Sequence, residues 1–247
     1  MNILVVNDDG YLAWGLYKLA RAVKKYGDVT IVAPEGERSG VSHSTNIRTA
    51  VTFERVENEE FEVYKTSGNP ADCTRLAIGL LNKKFDIVFS GINEGYNIGT
   101  DVYYSGTVAG VREAIVEGIP GIALSTGHNQ HQIVEDELED VLDYIMENKL
   151  YNENYVLNIN FPYKKYEHSK GLRFTRIGKR CFKSEFGKTE DGKWVEIDHK
   201  IETDNWVDSD VTMQNEGYIT ISPLGLDETD YYHLGQLRDV QKRTGKK

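Results

Sequence analysis

The residues that could do chemistry come early. Asp8 and Asp9 stand side by side in NDDG, directly after the apolar run Ile3 to Val6. Adjacent carboxylates past a buried strand repel each other, and a hard cation such as Mg²⁺, Mn²⁺ or Ca²⁺ relieves the repulsion. Such cations take carboxylates together with neutral oxygens and water. Ser39, Ser42, Asn93 and Asn97, all in polar loops, are candidates for the neutral oxygens. Later, Tyr104-Ser105-Gly106-Thr107-Val108 opens a helical stretch. Free N–H groups at a helix start, with the Ser105 and Thr107 hydroxyls, suit an anion. A cation on one side and a helix N-terminus on the other is an arrangement for holding a phosphate ester. Lys and Arg are scarce in these loops, Arg38 excepted.

The competing readings are plainer. NDDG also makes a turn, and Ser105 also makes an ordinary helix cap. His43 lies between Ser42 and Ser44, but neighbours in sequence rarely face each other, and no GxSxG elbow is present. His128 and His131 read as surface histidines, whereas Tyr96, Tyr103 and Tyr104 could face a nucleobase or pack a rim. A dinucleotide-binding oxidoreductase needs GxGxxG where NDDG stands, and the acids would repel a pyrophosphate. A signalling receiver domain begins with a similar acidic strand end. It needs a phospho-accepting Asp after a later strand, and FDIVF is followed by Ser90.

The elements that must position these groups follow from periodicity. Ile3 to Val6 and Val29 to Ala33 are apolar throughout, as strands of a parallel sheet covered on both faces are. Between them, Leu16, Leu19, Ala20 and Val23 share one face of a helix over Trp14 to Tyr26. Residues 34–46 form a polar loop, and residues 47–56 and 61–66 alternate like exposed strands. Pro70 opens a helix to Leu81. Phe85 to Phe89 is a strand, Ser90 to Tyr104 a Gly- and Asn-rich loop, and a helix runs from Ser105 or Gly106 to Glu117. A strand over Ile119 to Leu124, a helix over 132–148 and a strand over Val156 to Asn160 complete the alternation. The prediction is a doubly wound α/β sheet, in which ligands bind beyond the carboxyl ends of the strands. After residue 160 the pattern changes to strands at Leu172 to Ile177, Trp194 to Ile201 and Tyr218 to Ser222, then a short helix from His233 to Lys242. That is an antiparallel extension of a single domain.

Composition agrees. The 247 residues carry 39% hydrophobic and 28% charged residues, enough for one sizeable core. The net charge of −10 argues against a nucleic-acid groove. Glu135-Asp136-Glu137 and Glu139-Asp140 read as a solvated helix face, and Gln241 to Lys247 as a basic, frayed end. No apolar run approaches the roughly 20 residues that span a bilayer. The start MNILVVNDDG has neither a basic n-region nor a cleavage site, so a cytoplasmic protein is expected. Cys73 and Cys181, far apart, fit no disulfide or zinc pattern.

With these residues in hand, the chain resembles the SurE family of stationary-phase survival proteins and nucleotidases. The matching stretches are ILVVNDDG (3–10), IVAP (31–34), ERSG (37–40), GNPADC (68–73), SGINEGYNIGTDVYYSGTVAG (90–110), GIPGIALS (118–125), LNINFP (157–162) and GYITISPL (217–224). The resemblance implies a metal-dependent phosphatase acting on nucleoside 5′- and 3′-monophosphates, with short polyphosphate as a further substrate. It implies one divalent ion per subunit, Mg²⁺ or Mn²⁺ with Ca²⁺ as a substitute. The family's metal ligands fall on Asp8, Asp9, Ser39 and Asn93; Asn97, Ser105, Gly106 and Thr107 match the part around the phosphate. Asp8 and Asp9 are also the expected catalytic residues, one of them orienting or deprotonating the attacking water or forming an aspartyl-phosphate. The implied fold is a Rossmann-like, mostly parallel sheet with a β-hairpin extension, here about 163–216. A C-terminal arm, 225–247, is exchanged between subunits of a homodimer or homotetramer. Two departures stand out: Ala13-Trp14-Gly15 replaces the family's usual Ala-Pro-Gly, and residues 163–216 match poorly.

Overall fold

The computed structural model describes residues 1–163 and 165–245. The strand-and-helix alternation of the first two thirds builds a single large sheet. In chain order its parts are β1 (Asn2–Val6), α1 (Trp14–Val23), β2 (Asp28–Pro34), β3 (Glu54–Val56), β4 (Glu62–Thr66), α2 (Pro70–Leu80), β5 (Ile87–Glu94), α3 (Gly106–Val116), β6 (Gly121–Thr126), α4 (Gln132–Glu147) and β7 (Tyr155–Asn160). There follow β8 (Leu172–Phe174), the hairpin strands β9 (Arg180–Lys188) and β10 (Trp194–Thr203), α5 (Asp210–Glu216), β11 (Ile219–Gly225) and α6 (Tyr231–Thr244).

The sheet runs β3-β4-β2-β1-β5-β6-β7-β11-β8. From β4 to β7 every pairing is parallel. β11 adds to β7 in antiparallel register, Thr220 opposite Asn160. The chain thus winds outward from β1 to one side and from β5 to the other, so β1 and β5 flank the topological switch point, where an open α/β sheet binds ligands. Alternate strand residues feed two cores. Ile3 and Val5 of β1 join Leu16 and Leu19 of α1 and Leu138 and Leu142 of α4 on one face. Leu4 and Val6 join Cys73 and Ala77 of α2 and Val108 and Val111 of α3 on the other.

Most expected elements form, with shifted ends. The first helix ends at Val23 and tightens into a 3₁₀ turn over Lys24–Tyr26. The strand expected over 47–56 is only Glu54–Val56. β5 does not stop at Phe89. It continues through Ser90 to Glu94, because Asn93 and Glu94 pair with Ser125 and Thr126 of β6 after a break in register. Sequence reading missed β9, α5 and a 3₁₀ turn over Gly99–Tyr103. Both hairpin strands are largely exposed on both faces, so no period-2 pattern marks β9. The basic end expected to fray is helical from Gln241 to Thr244, while Lys246 and Lys247, like Lys164 in the extension, lie outside the described residues. α6 buries none of its residues. Among the described residues no helix is long and apolar enough to cross a membrane.

Candidate functional site

The loops beyond β1 and β5 and the start of α3 enclose a cavity of about 660 Å³. Asp8, Asp9, Ser39, Asn93, Asn97 and Ser105 all line it. Gly106 and Thr107 do not; they stand behind Asp8.

Asp8 follows the last residues of β1 and is 4% exposed. Its carboxylate is held from α3: the Thr107 hydroxyl, itself fully buried, donates to Asp8 Oδ1 at 2.6 Å. Thr107 therefore spends its hydroxyl on Asp8. Gly106 is what lets helix and acid come so close, since a Cβ there would lie 2.9 Å from Asp8 Cβ, 3.0 Å from Oδ2 and 3.1 Å from Pro70 Cγ. Ser105 caps α3, its Oγ accepting from Val108 N at 3.0 Å. Asp9 is more open, and the backbone N–H of Glu94 reaches its Oδ2 at 3.4 Å. Burial, above all, pushes the Asp8 carboxyl up to about 7 and Asp9 up to about 6.

The neutral donors are also placed. Asn93 Nδ2 donates to the Gly95 carbonyl at 2.7 Å, which leaves its Oδ1 as an acceptor. The Ser39 hydroxyl donates to Glu37 Oε1 at 2.6 Å and keeps its lone pairs. Asn97 is pinned between strands. Its N–H donates to Asn160 Oδ1 (2.8 Å), its Nδ2 to Ser125 Oγ (2.8 Å), and its carbonyl accepts from Asn158 Nδ2 (2.7 Å). The loop bearing Ser39 is tied to β1 by Arg38 N–H donating to the Asp8 carbonyl at 2.7 Å.

This donor set fits a hard divalent cation. A buried and a half-buried carboxylate, both with raised proton affinity, stand side by side, and Ser39 and Asn93 offer them neutral oxygens. No group of three or more His, Cys, Asp or Glu is gathered for a metal among the described residues. An ion here would lean on two acids, neutral oxygens, water and substrate, as Mg²⁺ does.

Several lining groups escaped the sequence reading. Glu37, Glu94 and Asp101 join the cavity wall, as does Phe182 from the hairpin. Isolated loop acids carry no signal, and Phe182 lies in the strand that sequence missed. His128 is 74% exposed, as expected of a surface histidine, yet lines the cavity 3.4 Å from Glu94. His131 pairs with the same carboxylate and stacks on Trp14, ring centroids 3.8 Å apart. Trp14 thus replaces the family's usual proline with a braced cavity wall. Tyr96 and Tyr104 line the cavity; Tyr103 does not. His43 faces away, its Nε2 2.9 Å from Glu113 Oε2, and Ser44 Oγ accepts from Asn69. No Ser–His pair forms there.

Residues 3–184 match the protein family described as Survival protein SurE. The chain belongs to the SurE family. It is 38% identical over 248 residues to the 5′-nucleotidase SurE of Thermosipho melanesiensis, covering 97% of both chains. It is 36% identical over 253 residues to the 5′-nucleotidase SurE of Clostridium botulinum, covering 97% of this chain and 99% of that protein. The crystal structure of the SurE protein from Aquifex aeolicus superposes with a TM-score of 0.80 at 34% identity, over 98% of this chain and all of that one. The family implies a divalent metal, and the superposition shows that the two chains share one fold.

Proposed function

We propose that this SurE-family hydrolase is a divalent-metal-dependent phosphomonoesterase that converts nucleoside 5′- and 3′-monophosphates to nucleoside and phosphate, with short-chain polyphosphate as a secondary substrate. The chain is an enzyme of the 5′-nucleotidase class, the activity for which its relatives are named. The observation that carries the finer reading is the adjacent Asp8–Asp9 pair, lining the cavity beside the start of α3.

Asp8, Asp9, Ser39 and Asn93 would hold the metal. When bound, a divalent cation supplies Lewis-acid polarisation of the phosphoryl group and neutralises its charge. The remaining work falls to the chain's own residues. Asp8, fixed by Thr107, is the rigid anchor. Asp9, the more open acid, orients the attacking water and accepts its proton. The α3 N-terminus and Ser105 face the phosphoryl oxygens, Gly106 and Thr107 set the distance from helix to acids, and pinned Asn97 keeps the loop in register. Mg²⁺ or Mn²⁺ suits this oxygen set, with Ca²⁺ as a substitute. A cytoplasmic location fits two free cysteines. A homodimer or homotetramer built by exchanging C-terminal segments is supported by α6, which buries nothing in its own subunit.

The test is phosphate release from nucleotides, sugar phosphates and polyphosphate with each metal in turn. EDTA should stop the reaction, and Asp8→Asn or Asp9→Asn should abolish turnover with the fold intact. Hydrolysis of AMP at the wild-type rate by either variant, or indifference to EDTA, sinks the reading.

A further inference from the structure

The cavity is larger than phosphate chemistry requires. At about 660 Å³ it matches sites for whole drug-sized ligands. Part of its wall is not made by the parallel sheet at all. Phe182 of β9 lines it, as does Tyr104, the residue just before the Ser105 cap.

The root of the hairpin is fastened to the loop that carries Tyr104. Asp210, fully buried at the start of α5, accepts from Gly99 N–H of that loop (2.9 Å) and from Gly178 N–H of the hairpin root (2.8 Å). The Thr100 hydroxyl donates to the Arg180 carbonyl. The Arg180 guanidinium pairs with Asp101, another cavity-lining acid, and the two side chains are only 15% and 12% exposed. Gly99, at φ +54°, approaches so closely that a Cβ would lie 2.9 Å from Arg180 N. Phe182 is braced in turn. The Arg180 guanidinium carbon lies 4.9 Å from its ring centroid, and the His199 ring meets it edge-on at 5.1 Å. Phe182 remains 40% exposed.

Charge sorts the two parts of the cavity. Asp8, Asp9, Glu37, Glu94 and Asp101 leave little place for a further anionic group, whereas an uncharged flat ring is welcome against Phe182 and Tyr104. We propose that Phe182, backed by Arg180 and working with Tyr104, is the stacking wall for the nucleobase, so that the hairpin supplies base affinity while the β1–β5 edge supplies the chemistry. This rests on the nucleotidase reading. Stacking tolerates every base, because each has a π-face. The wall therefore favours purine over pyrimidine nucleotides by ring area without excluding either.

The experiment compares kcat/KM for AMP and for ribose 5-phosphate, which lacks a base, in the full-length enzyme with saturating metal. Losing a base–aromatic stack costs about 5- to 150-fold in affinity. Phe182→Ala should lower the AMP to ribose 5-phosphate ratio by at least about 5-fold on that scale, mainly through KM for AMP. Phe182→Trp should restore the ratio, and Tyr104→Ala should lower it. An unchanged ratio in Phe182→Ala, or equal losses on both substrates, overturns the stacking wall while leaving the nucleotidase reading in place. A wild-type enzyme that releases phosphate from neither substrate overturns both.

Discussion

Gly106→Ala is the most discriminating single change, because stability and activity should part company. The added methyl would sit 2.9 Å from Asp8 Cβ, 3.0 Å from Asp8 Oδ2 and 3.1 Å from Pro70 Cγ. None of these neighbours is the end of a flexible chain. Asp8 is buried and bonded to Thr107, and Pro70 opens α2. Helix and acid must separate by several tenths of an ångström. Overpacking of this kind costs about 1–3 kcal/mol. Replacing Gly by Ala in a helix returns about 0.5–1 kcal/mol in an interior position, and less at the first position. The net loss is about 0–2.5 kcal/mol, which in a chain of this size lowers Tm by no more than about 10 °C. Activity responds differently, since misplacing a reacting group by about 1 Å costs on the order of 100-fold. Calorimetry and kcat/KM for AMP, measured below the variant's Tm, should show a folded protein with a drop of tens- to a hundred-fold. Wild-type turnover in Gly106→Ala would refute the claim that this contact sets the position of Asp8.

Thr107→Val, which keeps the shape and removes the hydroxyl, should lower kcat/KM by about 10- to 150-fold, the worth of a hydrogen bond to a charged group, while Thr107→Ser should stay close to wild type; equal rates for Val and wild type would refute the bond. Asp210→Asn turns an amide NH₂ toward the donors Gly99 and Gly178, which costs about 1–3 kcal/mol; hydrogen exchange should show faster amides at both glycines, and unchanged protection would refute the fastening. Asp101 is raised from 3.8 to about 6, burial outweighing the Arg180 pairing. The folded state therefore holds that proton more tightly than the unfolded chain, and the stability it contributes, full below about pH 4, is lost as pH rises to about 6. Urea titrations across that window should show a flatter pH slope for Asp101→Asn than for wild type, and parallel slopes would refute the burial argument.

How much of this was legible in the sequence depends on whether a residue's role is local. β1 reads directly, because Ile3 and Val5 must fill one core and Leu4 and Val6 the other, and NDDG must then lie at the carboxyl edge. The run SGINE reads as loop because Gly and Asn disfavour strands. Its pairing of Asn93 with Ser125 is a tertiary contact that overrides the local preference. Thr107 looks like a phosphate donor in one dimension, yet its hydroxyl meets Asp8, 99 residues away in sequence. Half of the hairpin hides for a further reason. Trp194 to Ile201 of β10 reads as a strand, but β9 is largely exposed on both faces and buries no regular stripe, so the strand that delivers Phe182 to the cavity leaves no clear trace. Asp210, fully buried, shows nothing in its local sequence of the two glycines it joins.

Charge magnitudes decide between the two anion-holding devices at this site. A phosphate ester dianion about 5 Å from a carboxylate meets about 3 kcal/mol of repulsion per pair of unit charges at an effective dielectric near 20. Two ionised acids against a dianion then oppose binding by more than about 10 kcal/mol on that scale. The α3 N-terminus offers only about 0.3–2 kcal/mol in return. Nearby bases do not close the gap, because Arg180 is committed to Asp101, and His128 and His131 are committed to Glu94. Protonation would relieve part of the repulsion, and burial already raises Asp8 to about 7 and Asp9 to about 6. A protonated pair, however, gives up the base that the proposed water activation needs. A divalent cation removes the repulsion and keeps both carboxylates ionised. On these numbers the proposed reading gives the helix start the orienting of the phosphate, and a metal would meet the charge of the acid pair.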